Sequence, residues 1–252
     1  MLSFAPRPGA HVRLFCFSHA GGGAAMYRAW LDALPATIEL CAVQLPGRES
    51  RLREPAFTSM QRLVEAVVPE LVARIDRPYA LFGHSMGALV AFEAARALRS
   101  MASVPQPVRL LVSGRRAPHL PETETPMHPL SDTDFVAEIG RRYGGIPDEV
   151  LRHRELLELL LPGLRADITA IETHAFVPGS RLGCPLTVFG GEADARATRE
   201  QLAAWQLHCD GATRTRMFRG GHFYLNDPAV RADLISEVAR DVLPVHEPSL
   251  GG

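Results

Sequence analysis

Residues 79–98 constrain the fold more than any other stretch of the chain. A short apolar run, Tyr79-Ala80-Leu81-Phe82, leads into Gly83-His84-Ser85-Met86-Gly87, and residues 88–98 follow with helical period. Strand, G-x-S-x-G and helix arrive in order. In that setting the glycines relieve crowding at a sharp strand-to-helix turn, and Ser85 projects from strained backbone with its hydroxyl facing a crevice. Ala91, one helical turn beyond Gly87, lets the helix lie close to the sheet. The pentapeptide alone arises by chance in glycine-rich chains; its flanks give it weight.

The rest of the sequence keeps the same rhythm. Strands are predicted at 12–17, 39–45, 79–83, 108–113, 185–190 and 213–218, and helices around 25–34, 59–75, 86–99, 198–208 and 228–242. Short strands alternating with longer helices give an α/β architecture, a mostly parallel, doubly wound sheet. At 252 residues and 46% apolar content, one core suffices, so a single domain over 1–252 is expected.

One connection breaks the pattern. Roughly 70 residues separate the strand ending near Ser113 from the one beginning at Pro185, where a crossover needs only about a dozen. A helical lid inserted at about 115–180 accounts for the excess. Within it, Ser131 with Asp134 resembles a helix start before 135–143, Gly144-Gly145-Ile146-Pro147 is a break, and 148–161 resumes helical period. Pro162-Gly163 is expected to divide that helix from another reaching about Thr173. Residues 156–161 are apolar around most of a helix circumference, which fits either a helix wedged in the core or a lid that also lines an apolar channel. A position over the carboxyl ends of the strands would favour the lid.

A serine hydroxyl needs a base within hydrogen-bond reach and a group that orients the base. After a G-x-S-x-G elbow, acid and histidine follow in that order, each in a loop leaving a strand. His222, in Arg219-Gly220-Gly221-His222-Phe223-Tyr224 after the last predicted strand, is the best-placed base. His119, His128, His153 and His174 fall in the insertion, His208 ends a helix and His246 lies in the tail; each reads as a solvated surface histidine. Asp194, after Leu186-Thr187-Val188-Phe189-Gly190-Gly191, is the acid, with Glu192 its nearest rival. Asp210 lies at the wrong end of the sheet, and Asp227 before Pro228 reads as an N-cap. An acyl oxyanion needs preorganised N–H donors. Met86, after the nucleophile, supplies one, and Ala20, in Ser18-His19-Ala20-Gly21-Gly22-Gly23, the other.

Composition removes competing chemistries. All 27 basic residues are arginines, which excludes a P-loop lysine, a lysine Schiff base and a lysine general base. The triple glycine does not satisfy G-x-G-x-x-G, no H-E-x-x-H occurs, and Cys16, Cys41, Cys184 and Cys209 lack C-x-x-C spacing. The cysteines are expected buried and reduced, and neither metal nor cofactor is expected. A formal net charge of -1 gives no field for nucleic acid or an anionic membrane. With no positively charged stretch followed by an apolar run near Met1, and no apolar stretch near the roughly 20 residues that span a bilayer, a cytoplasmic protein is expected.

These residues resemble one family, the stand-alone type II thioesterases that accompany modular polyketide and nonribosomal peptide synthetases. The likeness covers nearly the whole chain: Phe17-Ser18-His19-Ala20-Gly21-Gly22 with Tyr27 and Trp30; Val43-Gln44-Leu45-Pro46-Gly47-Arg48-Glu49; Phe82 to Ala88; Leu130-Ser131-Asp132; Tyr143-Gly144-Gly145-Ile146-Pro147; Gly190-Gly191 to Asp194; Trp205; and Gly220-Gly221-His222-Phe223. The resemblance implies the α/β-hydrolase fold and removal of acyl groups from the phosphopantetheine arm of acyl or peptidyl carrier domains. Ser85 would carry the acyl group, His222 and Asp194 would complete the triad, and Met86 and Ala20 would bind the oxyanion. His19, Leu156, Leu160 and Phe223 would line the substrate site. Two positions depart from the family pattern, Ser18 and Ala195, where proline is usual; Ser18 is expected to loosen the oxyanion loop.

The stretch Arg48-Glu49-Ser50-Arg51-Leu52-Arg53 reads as a solvated loop or as a place where an acidic carrier domain docks. A carboxylesterase or lipase-like hydrolase of oxygen esters, an acyltransferase and a non-catalytic module on this fold are the competing readings. A monomer is expected.

Overall fold

Parallel strands buried on both faces read as continuous apolar runs, and four of the strands here are buried at every position. The computed structural model describes residues 2–3, 6–144, 146 and 148–243. Strands β2 (Val12–Phe17), β3 (Ile38–Ala42), β4 (Tyr79–His84), β5 (Arg109–Ser113), β6 (Leu186–Gly191) and β7 (Thr213–Phe218) run parallel in the order 3-2-4-5-6-7. A two-residue strand, β1 (Leu2–Ser3), pairs antiparallel with β3 at that edge and is too short to carry a periodic signal. At the other edge β7 is largely exposed and carries arginines, which discourage further strand pairing. Arg214 there bonds Glu237 and Asp241.

Helices cover both faces. On one, α1 (Met60–Val72) and α2 (Met86–Arg99) bury Leu63, Leu71, Leu89 and Phe92 against the sheet. On the other, a 3-10 segment, Ala24–Trp30, brings Tyr27 and Trp30 against Phe82, beside Leu234 and Val238 of the C-terminal helix Pro228–Val242. That helix starts where Asp227 accepts the Ala229 and Val230 amides ahead of Pro228, the expected cap.

The insertion folds as α3 (Asp132–Tyr143), α4 (Asp148–Arg152) and α5 (Arg154–Glu172). Ser131 accepts the Asp134 amide as N-cap, and Gly144 ends α3 with φ +84°, a left-handed value suited to glycine. The chain breaks at His153, and α5 runs unbroken through Pro162-Gly163, against expectation. Pro162 removes an N–H and leaves the Glu158 carbonyl without its donor, yet both residues are exposed, so water can take that place. Burial of Leu161, Ile168 and Ile171 on the core offsets the helix penalty of about 3 kcal/mol. Gly163 is also close to the Gly47 carbonyl, where a larger residue would collide.

Other boundaries shift by local effects. The strand expected at 39–45 stops at Ala42, beyond which buried Gln44 turns its side chain to the Ala24 amide. The helix expected at 198–208 becomes α6 (Arg199–Ala203), opened by a Thr198–Gln201 capping box, and a 3-10 turn, Ala204–His208. The C-terminal helix Pro228–Val242 is α7. All four cysteines are buried and none forms a disulfide. Gly145, Pro147 and the tail from 246 lie outside the described residues. Among those described, no helix is long and apolar enough to cross a membrane.

Candidate active site

The turn from β4 into α2 sets Ser85, the expected nucleophile. Ser85 has φ 56° and ψ −114°, a conformation L-residues avoid, and its amide donates to the Ser113 carbonyl at 2.8 Å. The strain is tolerated because the turn is tightly packed. A Cβ on Gly83 would run into the Gly87 carbonyl, and one on Gly87 into the Phe17 carbonyl. Both glycines of the motif are thus required by close approach.

Two more loops leave the same end of the sheet. Asp194 comes from the loop after β6, and His222 from the turn after β7, where Gly220 has φ +111°. His222 Nδ1 lies 2.9 Å from Asp194 Oδ2, and its Nε2 lies 2.9 Å from Ser85 Oγ. The second oxygen of Asp194 accepts the Arg196 amide at 2.9 Å. A carboxylate facing Nδ1 selects the tautomer with its proton there, which leaves Nε2 to accept from the serine. Ser85, Asp194 and His222 are only 6%, 5% and 8% exposed. Glu192 points into solvent instead.

The rival histidines are elsewhere. His208 is buried, contrary to expectation, with its Nε2 2.7 Å from His119 Nδ1. His128 bonds Glu172, His153 is exposed and His174 is half-buried near Glu93. His84, the second residue of the motif, is fully buried beneath the triad, and its Nδ1 bonds Ser113 Oγ, which bonds Tyr224 Oη. Burial, then the neighbouring His222, holds His84 well below the usual histidine range, so it stays neutral.

The loop after β2, expected to supply the second oxyanion donor, is braced on every side. The Gly22 amide donates to the His19 carbonyl at 3.0 Å and Gly21 has φ +73°, the signature of a type II turn with Ala20 at its second position. His19 Nδ1 bonds the Ala20 carbonyl at 2.9 Å, and the Gly21 amide donates to Asp167 Oδ2 at 2.7 Å. Burial lowers the pKa of His19 and keeps it neutral. Ser18 does not loosen the loop: its hydroxyl donates to the Gly22 carbonyl at 2.8 Å. Ala24 and Ala25 donate to Gln44 and Glu49. Among the described residues, the amides of Ala20 and of Met86, first in α2, have no protein acceptor.

A cavity of about 280 Å³ opens from Ser85 and His222 into the lid. His19, Leu160 and Phe223 line it, along with Leu157, Leu164 and Ile168. Leu156 does not; it lies one step of about 100° round the helix from Leu157, on the flank of the lining stripe. A larger concavity, about 910 Å³, lies beside Ser59, Arg96 and Ser180 and holds no triad residue.

The stretch 48–53 is not a free basic strip. Arg48 is buried, its guanidinium on both carboxylate oxygens of Asp167 at 2.7 Å, and Arg51 bonds Glu54. Sequence reasoning missed Arg48 and Asp167 as part of this site. A signal existed, since Asp167 sits on the same helical face as Leu164, Ile168 and Ile171, where a charge requires a partner.

Comparison with known proteins agrees with this geometry. The Thioesterase domain family model matches residues 12–241. The gramicidin S biosynthesis protein GrsT of Aneurinibacillus migulanus is 41% identical over 216 residues, 86% of this chain and 84% of that protein. Among solved structures, the RedJ thioesterase from the prodiginine pathway of Streptomyces coelicolor is 40% identical with TM-score 0.86, covering 94% of this chain and 87% of that one. The type II thioesterase BorB from the borrelidin cluster is 38% identical with TM-score 0.84, covering 94% of each chain. The chain belongs to the thioesterase family: it is a thioester hydrolase of the α/β-hydrolase fold.

Proposed function

We propose that the protein hydrolyses acyl thioesters carried on the phosphopantetheine arm of acyl or peptidyl carrier domains, clearing stalled or aberrant acyl groups from polyketide or nonribosomal peptide synthetases. The observation that carries this reading is His222 bridging Ser85 and Asp194 at the mouth of an apolar cavity. The biosynthetic settings of GrsT, RedJ and BorB support the carrier-bound substrate.

In the reaction, Ser85 Oγ attacks the thioester carbonyl as its proton passes to His222 Nε2, and the Asp194 carboxylate stabilises the imidazolium. The carbonyl oxygen, now an oxyanion, accepts from the Met86 and Ala20 amides. Collapse breaks the C–S bond, and the thiol leaves with the His222 proton. Water then gives its proton to His222 and attacks the acyl-serine; a second collapse returns that proton to Ser85 and frees the acid. Lid residues pack on the acyl chain and exclude bulk water. One domain over 1–252 with its lid at about 115–180, acting as a monomer in the cytoplasm, completes the proposal.

Comparing kcat/KM for one acyl group on a carrier domain, on a small thiol and as an oxygen ester tests this. The carrier-bound thioester should be preferred. Preference for the oxygen ester would make the protein an esterase, and acyl transfer to an added alcohol in place of hydrolysis would make it a transferase.

A further inference from the structure

The lid helix does more than roof the cavity. Asp167 lies on α5 among its apolar lining residues, is almost wholly buried, and accepts three short hydrogen bonds. Two come from Arg48 and the third, at 2.7 Å, from the Gly21 amide. Arg48 in turn donates to the Gly22 carbonyl at 3.1 Å and to the Pro46 carbonyl at 3.2 Å. A buried carboxylate and guanidinium that satisfy each other this fully are costly to separate, because either one left alone is an uncompensated charge.

Gly21 is the third residue of the type II turn that presents Ala20. Its N–H belongs to the central peptide of that turn, the one that rotates by about 180° between types I and II. Asp167 holds one end of this peptide through the Gly21 N–H, and His19 Nδ1 holds the other through the Ala20 carbonyl. With both ends fixed, the turn keeps the form in which the Ala20 amide stays unbonded. Leu164, one turn earlier on the same helix, stands where a Cβ on Gly21 would press against it, and lines the cavity.

We propose that Asp167, held by Arg48, is a positioning residue for the oxyanion donor Ala20, so that the lid helix the acyl chain packs against also assembles the transition-state site. This rests on the triad and oxyanion assignment above. Seating the lid and completing the oxyanion hole are then one event. An acyl group that packs on Leu157, Leu160 and Ile168 favours the seated helix and gains in turnover as well as in binding.

The test uses the full chain, Asp167→Asn and the paired variant Arg48→Met/Asp167→Leu, in which apolar side chains replace the ion pair. Three readouts are needed: steady-state kinetics with a carrier-bound acyl thioester, affinity for an acyl trifluoromethyl ketone that forms a tetrahedral adduct on serine, and thermal unfolding. Asp167→Asn should lower kcat by about 10- to 100-fold with KM within threefold, and weaken the ketone in step with kcat. The paired variant should regain the wild-type Tm while kcat stays low. Recovery of kcat along with Tm would reduce the pair to a structural brace and overturn the proposal, as would loss of kcat with unchanged ketone affinity. A wild-type enzyme that fails to bind the ketone would instead strike at the oxyanion assignment itself.

Discussion

The Ser18 hydroxyl donates to the Gly22 carbonyl across the oxyanion loop at 2.8 Å, closing the turn that a proline would have stiffened through its ring. Arg48 reaches the same carbonyl, so removing the hydroxyl leaves no orphaned acceptor. Ser18→Ala should therefore cost only about 1 kcal/mol, a drop of about 2–4 °C in Tm, with a larger proportional fall in kcat than in KM. Calorimetry with steady-state kinetics checks this; an unchanged Tm and kcat would show that the loop does not use the bond.

Asp194 tests the triad through tautomer control. In Asp194→Asn the amide oxygen would keep the Arg196 N–H, which turns the NH2 group toward His222. The imidazole must then accept at Nδ1 and carry its proton on Nε2, facing Ser85, where it blocks proton removal. A loss of about 10²–10⁴ in kcat with an intact fold is expected, from single-turnover rates and circular dichroism. A loss below tenfold would point to another orienting group.

The cavity wall makes a paired prediction. Leu160 lines it and Leu156 does not, so Leu160→Trp should lower kcat/KM for long acyl chains by about 10- to 200-fold while acetyl turnover is retained. Leu156→Trp should leave both nearly unchanged. Equal effects of the two substitutions would mean that acyl chains do not run along α5.

Much of this was legible beforehand. The elbow, β2, β7, α2 and α7 follow from local pattern alone, because each is set by short-range periodicity and caps. That Ser85, His222 and Asp194 converge follows from their positions after strands, since parallel topology brings those loops to one end. What escaped depends on distant partners. The phase of Leu156 is fixed by how α5 lies on the core, and continuity through Pro162 by which face meets water. His208 reads as solvated in sequence because its burial comes from Phe92, Phe176 and His119, far away along the chain.

That burial gives His208 a pH signature. Desolvation, then the nearby His119 and Arg96, lowers its pKa to about 4, against about 6.5 in an unfolded chain. Between these values the unfolded chain binds a proton that the folded one does not, so stability is intact above about pH 6.5 and falls as pH drops toward 4. His208→Gln should flatten Tm against pH in that window, while His84 and His19 keep part of the slope. An unaltered slope would show that His208 titrates normally when folded.

Trapping the intermediate tests the central claim most directly. Rapid acid quenching after mixing with acyl-loaded carrier domain, followed by peptide mass mapping, should place the acyl group on Ser85, with no adduct and no turnover in Ser85→Ala. Acylation at another residue, or hydrolysis surviving in Ser85→Ala, would contradict it.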